Sequence, residues 1–224
     1  MKLSATMYFD VLLKQFADAH QADRMAAYMK NQFLFFGVPK PMRGEWFKEW
    51  WKNEGKCLTV VERWKFIEFC WEQEQREWQY FGVDVAQKFK KNDFEKSDLQ
   101  CIRRLLVSKS WWDSVDLLAS NVLGTYLQQF PEMIPEMIED FTNSNNFWLQ
   151  RSTLIFQLKY KQITDLSVLS QQIDLLKGKK EFFIQKAIGW SLREVAKWNP
   201  DFVTQEVEKQ CLVGLAKREA LKHL

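Results

Sequence analysis

Large aromatic residues open a series of similar helical segments at almost even intervals. Trp78 stands in EWQYFGVDVAQKF, Trp112 in WDSVDLLASNVL, Trp148 in WLQRSTLIFQLKY and Phe183 in FIQKAIGWSLREVAK, at separations of 34, 36 and 35 residues. A second amphipathic stretch lies between each pair. A period near 35 with two helices per unit is what stacked helix pairs produce, because each pair buries its apolar face against its neighbours. The same helical period runs elsewhere: in VVERWKFIEFCW (60–71), Val61, Trp64, Phe66, Ile67 and Trp71 fall largely on one side. The breaks are short, among them FFGVPKP, NEG, KND, FP, NSNN, KGKK and WNP, and Pro39, Pro41, Pro131 and Pro200 sit where helices should begin or end. With 8 glycines and 5 prolines the chain lacks the turn content of a mostly β protein. The Gly and Ala signature of tetratricopeptide repeats is absent. The expected fold is an all-α, HEAT-like helical repeat solenoid, a single domain over residues 1–224 with a concave groove.

Charge bears on what such a groove would hold. Residues 146–224 carry 13 Lys/Arg against 8 Asp/Glu, whereas residues 76–145 carry 8 against 11. A basic C-terminal third suits a polyanion, although solvated helix faces would give the same count. Cys57, Cys70, Cys101 and Cys211 are widely spaced and form no CxxC, which reads as buried thiols in a reducing, cytoplasmic setting. His20 and His223 lie at opposite ends, so neither a metal site nor a metal cofactor is expected. MKLSATMYFDVLLKQF carries Asp10 and Lys14 inside its apolar stretch, the pattern of an amphipathic helix and not of a signal peptide. No run approaches the ~20 apolar residues of a membrane span.

Helices that are equivalent in a repeat lie side by side, so equivalent positions share a surface. Asp116 is four residues after Trp112, Arg151 three after Trp148, Lys186 three after Phe183, and Trp190 seven after Phe183. Offsets of three, four and seven share a helix face. The register therefore places Trp112, Asp116, Arg151, Lys186 and Trp190 along one groove. Asp113 lies in a first helical turn, where capping and the helix dipole favour a carboxylate. Trp111 is off the Asp116 face and reads as core. Gly189 beside Trp190 allows close approach of another helix. Cations at repeat spacing suit a phosphate backbone, and indole faces pack against sugars, bases or cations. A carboxylate among them should repel DNA unless it has a use. One use is to stabilise the oxocarbenium-like sugar that forms as an N-glycosidic bond breaks, and to position the attacking water.

The segments YMKNQFLFFGV (28–38), VSKSWWDSVD (107–116), NNFWLQRSTLIFQLKYKQ (145–162), KEFFIQKAIGWSLRE (180–194) and KREALKH (217–223) together resemble the AlkD-type DNA alkylation repair glycosylases, a HEAT-like repeat family. The stretch 41–100 resembles them only in its helical pattern. The resemblance implies excision of cationic N3- and N7-alkylated purines from double-stranded DNA, without metal or other cofactor, by a monomer that needs no membrane. It implies that Asp116 is the catalytic carboxylate, that Trp112 and Trp190 flank the cleft at the lesion's deoxyribose and phosphate, and that Arg151 holds DNA and orients the site. Lys186 is expected at phosphate, Tyr28 to reach the groove from the N-terminal repeat, and the lysine-rich KGKK loop to touch phosphate. Two other readings fit the residues alone: a non-catalytic protein that binds bent or branched DNA, and a protein-binding scaffold.

Overall fold

The computed structural model describes residues 5–224, so the first four residues of the amphipathic N-terminal segment lie outside it. The described residues are helical, without a β-strand, and divide into two compact units that meet in sequence at Phe89 and Lys90.

The first unit holds α1 (Ala5–Gln15), α2 (Ala19–Tyr28), α3 (Lys40–Asn53), α4 (Val60–Glu72) and α5 (Arg76–Ala86). Its core is aromatic. Phe9 stacks on Phe81 with ring centroids 4.0 Å apart and meets Trp50 edge-on at 5.2 Å; such pairs add about 0.5–1.5 kcal/mol each beyond their burial. Thr59 and Glu62 form a reciprocal capping box that starts α4. Phe66, Ile67, Cys70 and Trp71 are the buried face of α4, while Val61, expected on that face, is 61% exposed in the first turn. The loop before α3 is fixed by a carboxylate: Glu77, fully buried, accepts from the backbone N–H groups of Phe36, Gly37 and Val38. Three backbone donors compensate a charge that burial would otherwise disfavour.

The second unit holds α6 (Asp98–Val107), α7 (Trp112–Leu117), a π-helical turn (Leu118–Leu123), α8 (Gly124–Gln129), α9 (Ile134–Asn143), α10 (Phe147–Ile155), α11 (Leu166–Leu176), α12 (Phe182–Ala196), α13 (Pro200–Lys209) and α14 (Gly214–Ala220). The aromatic markers of the repeat fall where the sequence puts them: Trp78, Trp112, Trp148 and Phe183 each lie in the first turn of their helices. α10 is the centre of this unit. Every residue from Trp148 to Ile155 is buried, because α10 packs against α6, α7, α9, α11 and α12. A helix surrounded on all sides has no polar stripe to spare, so any charge on it must find a partner. α12 packs in turn on α14, and Gly189 makes that contact close: a Cβ there would lie 2.4 Å from the Cβ of Glu219 and 2.9 Å from the Ala216 carbonyl oxygen.

The cysteines do not behave as a group. Cys70 is buried in α4, but Cys57 and Cys211 are exposed. Cys57 lies in a 3-10 turn and Cys211 adopts φ +51° just past α13, so chain position overrides the general tendency of thiols to go inside. Among the described residues no helix is long and apolar enough to cross a membrane, and no three His, Cys, Asp or Glu side chains cluster closely enough to hold a metal ion.

Candidate active site around Asp116

The approach to Asp116 is built by the turn between α6 and α7. The hydroxyls of Ser108 and Ser110 donate to the carbonyls of Arg104 and Leu106, closing the end of α6. Lys109 takes φ +50°, and the chain then extends through Trp111, whose carbonyl accepts from the Ser114 and Val115 N–H groups to start α7. This local geometry separates the adjacent tryptophans. Trp111, expected as core, is only half-buried; its ring packs 5.8 Å from Trp148 and 5.5 Å from Phe183. Trp112 and Asp116 follow one helical turn apart, both partly exposed. Asp113 lies in the first turn, where the helix dipole favours a carboxylate, and accepts from the adjacent Ser114 N–H, but it does not cap the helix: the N-cap position is Trp111. After Leu117 the helix widens into its π turn, where the Ser120 hydroxyl donates to the Asp116 carbonyl at 2.6 Å. Single π turns are frequent at functional sites.

Arg151 meets Asp116 from α10. Asn146 caps that helix by accepting from the Trp148 and Leu149 N–H groups, which sets the register of Arg151 just over a turn later. The guanidinium donates twice to the carboxylate, Nε to Oδ1 at 2.8 Å and Nη2 to Oδ2 at 2.9 Å, and Nη1 donates to the carbonyl of Phe183 at the start of α12. One arginine thus ties together three helices from three successive repeats. Its side chain is only 4% exposed, against 17% for Asp116. Of the two parts expected of Arg151, this geometry accords with orienting the site: the guanidinium anchors the carboxylate and, so deeply enclosed, has little surface left for a phosphate. The sequence could not show this, because it reveals a helix face but not how deeply a helix is enclosed.

Opposing influences act on the Asp116 carboxyl. Burial is the largest and raises its pKa above the ordinary 3.8; the hydrogen bonds and charge of Arg151 pull it down, and Asp113 adds a smaller upward push. The result is a carboxylate fixed in orientation, short of solvent, and more basic than a surface aspartate.

The other expected residues take different places. Trp190 lies on α12 two turns beyond Phe183 and is partly exposed, so it follows the Arg151 contact along the same helix face. Lys186 is committed elsewhere: its Nζ is 2.9 Å from Glu219 Oε1 on α14. Tyr28 ends α2 in the first unit and is 66% exposed. Two contributors have no counterpart in the sequence reading. Phe183 serves through its backbone carbonyl and through a ring whose centroid lies 5.9 Å from the Arg151 guanidinium carbon, although its side chain marked only the repeat. Glu219 occupies the cation assigned to phosphate; no spacing rule links it to a residue 33 positions earlier.

Comparison with known proteins covers nearly the whole chain. A family model described as DNA alkylation repair enzyme matches residues 11–224. Among solved structures, one described as a predicted DNA alkylation repair enzyme from Enterococcus faecalis superposes with a TM-score of 0.83 at 33% identity, covering 93% of this chain and 96% of its own. No curated protein sequence matches. The match over the full run of helix pairs, including α7, α10 and α12, establishes that this chain belongs to the family of DNA alkylation repair enzymes.

Proposed function

We propose that the protein is a monofunctional DNA glycosylase that hydrolyses the N-glycosidic bond of cationic N3- and N7-alkylpurines in duplex DNA. Family membership makes DNA the partner. The observation that carries the finer reading is the Asp116 carboxylate, held by a buried bidentate arginine, yet still partly open on the face it shares with Trp112. The arginine fixes the orientation of the carboxylate while part of it stays accessible, which is what a preorganised charged group beside a reacting centre requires.

In the proposed reaction the bond from C1′ to N9 breaks, and its electron pair passes into the purine ring and neutralises the charge that alkylation at N3 or N7 placed there. The sugar passes through an oxocarbenium-like state, which the ionised Asp116 stabilises across a water-poor gap. Water adds to C1′ and loses a proton to Asp116 or solvent, leaving an abasic site. Arg151 positions the carboxylate and keeps it ionised. Trp112 and Trp190 supply flat faces beside the deoxyribose and the positive lesion. No lysine is assigned as a nucleophile, so strand cleavage is not expected. The protein acts in this reading as a cytoplasmic monomer.

The test is incubation with duplex DNA treated with a methylating agent, followed by analysis of the freed bases. Wild type releases 7-methylguanine and 3-methyladenine. Asp116→Asn keeps an acceptor for Arg151 and the fold, and slows release by about 10²-fold or more, the usual effect of losing an electrostatic group at a reacting centre. Release at the wild-type rate by that variant removes Asp116 from the mechanism. Tight binding of methylated duplex without any release assigns the protein instead to recognition of distorted DNA.

A further inference from the structure

One face of α12 carries Phe183, Lys186, Trp190 and Arg193, at offsets of three, seven and ten. Phe183 contacts Arg151, so this face begins at the Asp116 site. On the helical wheel Lys186 and Arg193 lie between the Phe183/Trp190 edge and Gly189, the residue against which α14 packs. Both cations are taken up by a single carboxylate from α14. Lys186 Nζ lies 2.9 Å from Glu219 Oε1, and Arg193 Nη1 donates to Glu219 Oε2 at 2.8 Å. The two cations bracket Trp190 along the helix, and Glu219 spans them. Its side chain is 12% exposed while that of Lys186 is 40% exposed, so the lysine is open to solvent and its charge is partly cancelled. Lys186, then Arg193 and Lys222, keep Glu219 ionised, pulling its carboxyl below the ordinary range.

We propose that Glu219 sets how tightly the protein grips DNA, by withholding Lys186 and Arg193 from the phosphate backbone beside Trp190. This rests on DNA as the partner and on the Asp116 face as its site. Three charged groups sum to +1 where the two cations alone would present +2. A phosphate that recruits either cation must displace a carboxylate already bonded to it. The consequence is moderate affinity for DNA of any sequence. That suits a protein that must sample much undamaged duplex and leave its product, since each additional phosphate contact deepens non-specific binding. The carboxylate comes from the chain's last described helix, and the contact at Gly189 fixes its distance from α12.

The test is the affinity for an undamaged fluorescent duplex oligonucleotide, titrated at several salt concentrations. Glu219→Gln is nearly isosteric and preserves the packing on Gly189. It is expected to bind about 3–10-fold tighter, with the log–log salt slope steeper by about 0.9 to 1.8, the value for one or two added phosphate contacts. Adding Lys186→Gln to Glu219→Gln removes most of that gain, whereas Lys186→Gln in the otherwise intact protein lowers affinity less than about twofold. An unchanged or weaker affinity in Glu219→Gln, or the same loss from Lys186→Gln in both backgrounds, overturns the proposal. If Glu219→Gln fails to fold, the single Lys186→Gln variant decides: a loss well beyond twofold means that the lysine already holds phosphate in the wild type. Because these readouts are affinities for undamaged DNA, they stand apart from the release of bases that tests the glycosylase reading.

Discussion

Asp116 carries two pH dependences of opposite sign. Burial raises its carboxyl above the ordinary 3.8 in the folded chain. A group whose folded pKa is raised holds its proton more firmly in the native state, so its stabilising contribution is full below the ordinary value and is lost as pH rises through the folded one. The proposed chemistry needs the ionised form, so activity runs the other way. Excision, measured in single turnover with the spontaneous loss of alkylated bases subtracted, is expected to fall on the acid side through a limb centred above 3.8. Asp116→Asn should lack that limb in whatever residual rate it keeps. A wild-type limb at or below the ordinary aspartate value would remove the burial argument. The residues of this pair were partly legible from offsets: a four-residue step put Asp116 with Trp112, and repeat register put Arg151 near both. The hydrogen bonds were not legible. The Arg151–Asp116 pair spans 35 residues, and only packing decides whether a cation on a repeat face turns outward to phosphate or inward to a carboxylate. Lys186 shows the same limit: spacing assigns it a face of α12, but nothing in the sequence shows that α14 brings Glu219 onto that cation.

Elements were easier to read than contacts. Aromatic residues at intervals of 34, 36 and 35 mark the first turns of α5, α7, α10 and α12 because each repeat must seat a large ring in the same inter-helix space. The π turn after α7 has no sequence signal, because no Gly or Pro lies inside Leu118–Leu123. Gly189 was informative: its missing side chain implied a close neighbour, and α14 is that neighbour. Gly189→Ala tests how firmly α14 is seated. The new methyl would fall within 2.4 Å of the Glu219 Cβ and 2.9 Å of the Ala216 carbonyl oxygen, neither of them the free end of a flexible chain. α14 must shift outward, and overpacking of this kind costs about 1–3 kcal/mol, set against the few tenths to about 1 kcal/mol that alanine gains over glycine within a helix. A urea titration should show a net loss of stability. A variant as stable as wild type would mean that α14 is held loosely, and the Glu219 bridges would then lack the fixed geometry assigned to them.

Across the molecule, charge is the property that composition reports and pairing modifies. The second unit's C-terminal stretch looks strongly basic by count, yet Arg151, Lys177, Lys186, Arg193, Lys197 and Lys209 each face an acidic partner. Lys179 and Lys180 are exposed and lie in the loop between α11 and α12. That loop is held in place: Gln185 donates to the carbonyls of Lys177 and Lys179 at 3.0 and 2.7 Å. It leads directly into Phe182 and Phe183, the start of the helix that Arg151 grips. Fixed backbone with free ammonium groups is what phosphate contact favours, because little ordering remains to be done on binding. Replacing both lysines with glutamine should lower the magnitude of the log–log salt slope for duplex DNA by about 0.9 to 1.8, one increment per lost phosphate contact. Affinity should fall by the same factor for methylated and undamaged DNA, since phosphates carry no information about the base. Asp116→Asn should leave the slope alone while slowing base release. An unaltered slope in the double lysine variant would place the KGKK loop outside the DNA interface, and a loss confined to methylated DNA would mean that the loop reads the lesion and not the backbone.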